Sequence, residues 1–173
     1  MTTRTARCAC GRVEVTVEGE PLLVYVCHCD FCQRRSGNVF IASAQFPEEQ
    51  VVSITGETRC YNGLEADGVG AVGMPGGINY RFCAVCGSSI YMDAIFPHTG
   101  ERVFTIALGG FVDAVFPPPT TEFFTRFRHP WVPPIPDAVQ IYDPLDGSLT
   151  VESGLQGGRP APSLSEESRS DRR

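Results

Sequence analysis

The chain has 173 residues, of which 42% are hydrophobic and 20% are charged, as in an ordinary globular domain. Its net charge of −6 argues against nucleic-acid binding, which needs a basic face. All 14 basic residues are arginine, so a Schiff-base lysine and a lysine-dependent phosphate loop are excluded. No apolar stretch is long enough to span a membrane, and residues 1–7 lead into no secretory signal, so we expect a cytoplasmic protein without membrane contact.

The first third of the chain predicts short β-strands. Valine alternates with polar residues over 13–18, which is typical of a half-buried strand. Two further β-prone runs cover residues 22–26 and 38–46. Residues 51–55 and 58–61 flank a Gly-Glu pair, and this arrangement predicts a β-hairpin.

The rest of the domain continues in the same manner. A glycine-rich loop is predicted over 67–77, and strands are predicted over 78–82, 89–92 and 102–108. We therefore expect a mainly β domain over residues 4–150 with few or no helices. Residues 151–173, which are rich in serine, glycine, proline and mixed charges, predict a disordered tail.

Eight cysteines dominate the functional interpretation. Seven of them stand in tight clusters, and cysteines two or three residues apart rarely form good disulfides with each other. In a chain without an export signal, clustered thiols favour metal binding over a disulfide framework.

Two cysteine pairs are each followed by glycine, namely Cys8-Ala-Cys10-Gly11 and Cys83-Ala-Val-Cys86-Gly87. On an extended strand Cys8 and Cys10 would face the same side, and the second pair would form a tight turn whose glycine takes positive φ. Together the pairs predict a closed, structural four-thiolate zinc site. A redox dithiol at Cys83 and Cys86 is the alternative, but the helical context of such motifs is missing.

The remaining cluster is Cys27-His28-Cys29-Asp30-Phe31-Cys32. Three thiols without an evident fourth partner predict a second zinc with an open position for water or a substrate thiolate. Alternatively His28, Asp30, Cys60 or a distant histidine completes another structural site. His28 would point away from its neighbours on an extended strand and is not expected to be a ligand. Cys60 is interpreted as a small buried hydrophobic residue.

Two arginines follow this cluster directly. Arg34 is interpreted as an ordinary solvated charge. Arg35 either has that role or pairs with a substrate carboxylate, in front of the turn formed by Ser36 and Gly37. Arg35, Ser36 and Gly37 are therefore the candidate substrate-binding residues.

These motifs resemble the glutathione-dependent formaldehyde-activating enzyme family, which includes centromere protein V. The matching stretches are Cys8 to Gly11, Cys27 to Cys32 with Arg35-Ser36-Gly37, the segment 53–61, and residues 82–88. The resemblance covers residues 4–143 and implies a fold of twisted antiparallel sheets, the β-tent. It also implies a structural zinc on Cys8, Cys10, Cys83 and Cys86 and a substrate-facing zinc on Cys27, Cys29 and Cys32.

The family activity would be a carbon–sulfur lyase reaction that, in the synthetic direction, adds the thiol of glutathione, or of a similar small thiol, to formaldehyde or another small aldehyde. A non-catalytic zinc module that recognises a peptide or protein is the alternative. No proton donor stands out from the sequence; His28, His98, Glu122 and His129 are the candidates. The oligomeric state is not readable from the sequence.

Overall fold

The structure is a computed structural model that describes residues 2–63, 77–96, 99–111, 116–144 and 151–152. The predicted mainly β fold is confirmed. The strands are β1 Thr3–Arg7, β2 Glu14–Glu18, β3 Leu23–Cys27, β4 Ile41–Pro47, β5 Val51–Thr55, β6 Thr58–Asn62, β7 Asn79–Cys83, β8 Ser89–Ile95, β9 Arg102–Ala107, β10 Thr121–Phe123, β11 Val139–Ile141 and β12 Val151–Glu152. One α-helix, α1 Asp30–Ser36, and 3₁₀ turns at Glu48–Gln50, Leu108–Gly110 and Thr125–Phe127 complete the described elements.

The strands form two sheets. A large sheet has the order β12-β11-β10-β3-β4-β9-β8-β7-β6, and a small one has the order β1-β2-β5. All described pairings are antiparallel except those of β10, which runs parallel to β3 and to β11. The parallel pairing brings Glu122 of β10 level with Val26 of β3, next to the second cysteine cluster in the sequence.

The core contains side chains from both sheets. Val13, Val15 and Val17 are fully buried, which agrees with the alternation read from the sequence, and they share one apolar cluster with Phe46 and Ile106. Burial of each such side chain contributes about 1.5–3 kcal/mol. This cluster also contains Cys8 and Cys83, so the apolar core positions one cysteine of each glycine-flanked pair.

The predicted hairpin over 51–61 is wrong. Strand β5 pairs with β2 in the small sheet, whereas β6 pairs with β7 in the large sheet. Gly56, with φ of 86°, lies between them, and a Cβ at this position would stand 1.9 Å from the carbonyl oxygen of Arg12. The turn therefore carries the chain from one sheet to the other against a neighbouring backbone.

Helix α1 was not expected on the second cysteine cluster. The sulfur of Cys29 caps its N-terminus by accepting the N–H of Cys32 at 3.2 Å. The helix ends at Ser36, and the C-cap residue Gly37 has φ of 70° and donates its N–H to the carbonyl of Gln33 at 2.8 Å. An ion pair of 3.0 Å between Asp30 and Arg34 adds a small i,i+4 contribution.

Several expectations fall wholly or partly outside the described residues. Of the predicted loop over 67–77, the structure describes only Gly77, and His98 is also not described. The predicted domain boundary at 150/151 and the disordered tail stay predictions. Strand β12, which pairs with β11, occupies the first two residues of the predicted tail. Across the described ranges, no helix has the length and apolar character needed to traverse a bilayer.

Candidate metal centres and active-site cleft

The four cysteines of the two glycine-flanked pairs meet at one point. The sulfur atoms of Cys8, Cys10, Cys83 and Cys86 all lie within 4.8 Å of one another. Cys10 Sγ is 3.5 Å from Cys8 Sγ and 3.8 Å from Cys83 Sγ. Thiolates bound tetrahedrally at 2.3 Å from one zinc would stand about 3.8 Å apart, so the spacing fits a metal. It is far too long for a disulfide, and all eight cysteines are free.

The first pair lies in a turn and not on a strand as predicted, because β1 ends at Arg7. Gly11 has φ of 73° and donates its N–H to the carbonyl of Cys8 at 2.9 Å. The N–H of Val13 points at the sulfur of Cys8, 3.2 Å away. Gly87, after the second pair, has the same φ of 73°, as expected for that turn. Both halves of the site are thus turns that present backbone donors to sulfur.

The second cluster consists of three buried sulfur atoms. Cys27 ends β3, Cys29 caps α1 and Cys32 lies in its first turn, and their sulfur atoms also lie within 4.8 Å of one another. Within the described part of the chain no histidine, aspartate, glutamate or further cysteine joins them. The donor set suits zinc with one free coordination position.

Hydrogen bonding makes the three thiols unequal. Bonds from Cys27 and Cys32 and from backbone N–H groups lower the pKa of Cys29, although burial acts in the other direction. The pKa of Cys27 is raised to about 12, with its contact to Cys29 as the largest cause. In this cluster the thiolate form of Cys29 is therefore favoured over that of Cys27, and a bound cation would help to hold all three sulfur atoms as thiolates.

His28 does not join the three sulfur atoms; its side chain contacts Glu122 instead. Its Nε2 is 2.7 Å from Glu122, and both side chains are only 1% exposed. The carboxylate of Glu122 also accepts the N–H of Ile135, Gln140 Nε2 at 3.0 Å and Arg128 Nη1 at 3.4 Å.

These contacts decide the charge of Glu122. Burial alone would raise its pKa, but the hydrogen bonds from His28, Gln140 and Ile135 and the charge of Arg128 lower it to about 2. Glu122 is thus a carboxylate at neutral pH. In this state its carboxylate accepts hydrogen bonds and does not donate them, so its role as a proton donor stays a prediction that these contacts do not favour.

Gln33, in helix α1, connects the second cysteine cluster to the segment that follows β10. Its Nε2 donates to the carbonyl of His28 at 2.7 Å and to that of Phe127 at 3.1 Å. Its Oε1 is 3.1 Å from Nε2 of His129, whose ring stacks on Trp131. His129 therefore contacts helix α1 through Gln33 and does not join the three sulfur atoms.

The candidate substrate-binding residues divide into two kinds. The hydroxyl of Ser36 donates to the carbonyl of Cys32 at 2.8 Å, and Gly37 caps the helix. The described contacts of these two residues therefore stabilise the end of α1. Arg35 instead lines an open cleft, and its guanidinium lies 4.5 Å from the ring centroid of Tyr80. Arg34 is exposed and paired with Asp30, in keeping with its interpretation as a solvated charge.

Sequence reasoning missed the other wall of this cleft. Tyr80, Arg81 and Ser89 line it, and Tyr80 packs in the same apolar cluster as the three sulfur-bearing residues of the loop. No local motif marks these residues; only the strand pairings bring them opposite α1. Cys60 was also misread, since it is exposed on β6 with its sulfur 3.7 Å from the side-chain oxygen of Asn79.

The fold and the two thiol clusters define a mainly β protein with two centres that can hold metal ions. The chain belongs to the family described as glutathione-dependent formaldehyde-activating enzyme, whose family model matches residues 3–127. This range includes every cysteine of both clusters. A comparison with curated proteins found no match.

Proposed function

We propose that the protein binds two zinc ions and catalyses the addition of the glutathione thiol to formaldehyde, forming S-hydroxymethylglutathione. The thiol gives up its proton to water, the carbon–sulfur bond forms as the carbonyl π pair moves to oxygen, and the oxygen takes a proton back from water, so no proton is gained or lost overall. The observation that carries the proposal is the buried three-sulfur cluster of Cys27, Cys29 and Cys32, which lacks a fourth protein donor among the described residues and packs against Tyr80 at an open cleft. Membership of the family supports glutathione and formaldehyde as the two substrates.

The two clusters would have different roles. Cys8, Cys10, Cys83 and Cys86 offer four donors and join the turn after β1 to the turn after β7, so a zinc there would stabilise the fold by about 10 kcal/mol. Cys27, Cys29 and Cys32 would hold the second zinc. A zinc at this position would lower the pKa of an incoming thiol and so keep it as the reactive thiolate.

The chain's own residues contribute position and charge. Helix α1 fixes Cys29 and Cys32 through its N-terminal cap, and Gln33 fixes the carbonyl of His28, the residue between Cys27 and Cys29. Arg35 forms no ion pair with any described carboxylate, so its positive charge is available to an anionic substrate beside the cluster. The buried side chains of Tyr25 and Phe31 share an apolar cluster with the sulfur-bearing residues and would limit the access of water to them.

The test combines zinc content with adduct formation. Wild-type protein should contain about two zincs and accelerate adduct formation above the spontaneous rate, measured by NMR with ¹³C-formaldehyde. Cys29→Ser should lose about one zinc and the acceleration but stay folded by circular dichroism. Cys83→Ser should yield little folded protein. Cys60→Ser is the matched control and should resemble wild type.

Two results would contradict the proposal. One is a Cys29→Ser variant that keeps both its metal content and its activity. The other is a Cys29→Ser variant that unfolds as fully as Cys83→Ser, because the two clusters would then not have separate roles. Full zinc occupancy without any acceleration would favour the non-catalytic module.

A further inference from the structure

A cleft of about 220 Å³ lies between the two cysteine clusters. On one side Arg35 and Tyr80 connect the cleft to the three-sulfur cluster of Cys27, Cys29 and Cys32. On the other side Gly87 and Ser89 belong to the segment that follows Cys86. A molecule whose sulfur sits at the three-sulfur cluster would therefore extend its remaining groups along this cleft.

Arg35 brings an unneutralised positive charge to the cleft. Its Nη1 is 3.2 Å from the hydroxyl of Ser89, and its guanidinium lies on the ring of Tyr80. Its Nε is buried and has no hydrogen-bond partner among the described residues. Neutral groups thus hold this guanidinium, and no described acid cancels its charge although the whole chain is acidic.

Arg81 reaches the same cleft from β7. Its Nε contacts Asp93 at 3.4 Å, and Asp93 is 3% exposed and also accepts from Arg102 and Asn79, each at 3.0 Å. Asp93 therefore orients Arg81 by a single long contact at Nε. Within the described ranges, the two terminal nitrogens of Arg81 have no other partner and form a fork that suits a carboxylate.

Two stacked aromatic rings and an unobstructed glycine form another part of the wall. The rings of Tyr61 and Tyr80 stack with centroids 6.4 Å apart and an interplanar angle of 25°. Gly87 has no atom within 4 Å of the place a Cβ would occupy, so backbone is open to the cleft there. Aromatic faces and accessible backbone are suited to a peptide group next to a carboxylate.

We infer that this cleft is the specificity site for the thiol substrate and that Arg81, together with Arg35, binds a carboxylate of that substrate. The inference rests on the proposed function and deepens it: Arg81 is a specificity-determining residue that recognises the carboxylate of the thiol and takes no part in the chemical step.

Steady-state kinetics with two thiols tests the assignment. Glutathione has its carboxylates, whereas glutathione diethyl ester keeps the thiol and the peptide bonds but has both carboxylates blocked. Arg81→Gln should raise the KM for glutathione about 10- to 100-fold, the range expected for loss of a charge-assisted contact, with kcat within about threefold of wild type. The KM for the diethyl ester should not change. Arg59→Gln, an exposed arginine on β6 outside the cleft, is the matched control and should behave as wild type.

A binding arm separates this inference from the proposed function. S-methylglutathione has both carboxylates and no free thiol, and its dissociation constant, measured by calorimetry, should rise in Arg81→Gln by the same factor. If no turnover occurs with either thiol but this binding still depends on Arg81, the cleft assignment stands and the proposed activity fails. If turnover occurs while Arg81→Gln leaves the KM for glutathione unchanged, or raises it equally for both thiols, the cleft assignment is overturned.

Discussion

Replacing Glu122 by glutamine removes one charge from a buried pair without changing its size. Glu122 and His28 are each 1% exposed, and the carboxylate accepts hydrogen bonds from His28, Ile135, Gln140 and Arg128. Glutamine keeps one accepting oxygen, but its amide nitrogen would face groups that are themselves donors. We therefore expect Glu122→Gln to destabilise the fold.

Two independent routes give a similar magnitude. The native contacts lower the pKa of Glu122 from 4.5 to about 2, which corresponds to about 3–4 kcal/mol at 1.4 kcal/mol per pH unit. Removal of one partner from a buried pair costs about 3–5 kcal/mol. We expect a loss of about 3 kcal/mol in unfolding free energy, or about 6–12 °C in Tm for a chain of this size.

The pH dependence gives the expectation a sign. A carboxyl whose pKa is depressed in the folded state stabilises the fold above its unfolded pKa, and that stabilisation is lost as pH falls toward the folded value. The difference in unfolding free energy between wild type and Glu122→Gln should therefore be full at pH 7 and shrink between about pH 5 and pH 2.

Urea denaturation followed by circular dichroism at several pH values measures both effects. Glu49→Gln, at an exposed glutamate outside the described ion pairs, is the control and should stay within about 0.5 kcal/mol of wild type. If Glu122→Gln is equally mild at pH 7, or if its deficit does not vary with pH, the carboxylate does not have the role given to it here.

Three further perturbations have defined outcomes. Gly56→Ala should cost at least about 3 kcal/mol by urea denaturation, because φ of 86° and the carbonyl of Arg12 leave no room for a Cβ, whereas Gly109→Ala, with nothing within 4 Å, should be nearly neutral. Asp93→Asn should lower the free energy of unfolding by about 3 kcal/mol and also raise the KM for glutathione, because Asp93 orients Arg81. An unchanged KM would show that Asp93 does not orient Arg81 for substrate binding. Zinc removal by a chelator should lower the Tm measured by calorimetry, and added zinc should restore it. If the chelator does not shift the Tm, the protein has no structural metal.

Local sequence patterns predicted those features of the protein that depend on residues close together in the chain. Alternating valines gave the strand containing Val15, because side chains on a strand repeat every two residues. The spacing of the cysteines and the glycines after them gave the grouping of the seven clustered sulfur atoms, since turn geometry is set within a few residues. Even helix α1 has a local signature that was overlooked: Asp30 in its first turn, Arg34 and Arg35 in its last and Gly37 after it, although its cap is a cysteine.

Tertiary structure alone decided which of these pieces meet. Nothing near Gly56 in the sequence reveals that its flanking strands join different sheets, because strand pairing depends on partners far along the chain. The parallel alignment of β10 with β3 places Glu122 against His28, and the pairing of β7 with β8 places Arg81 and Ser89 across from Arg35. Residue spacing thus supplied the sulfur donors, whereas long-range packing of the sheets built the cleft beside them and fixed the charge of the groups around it.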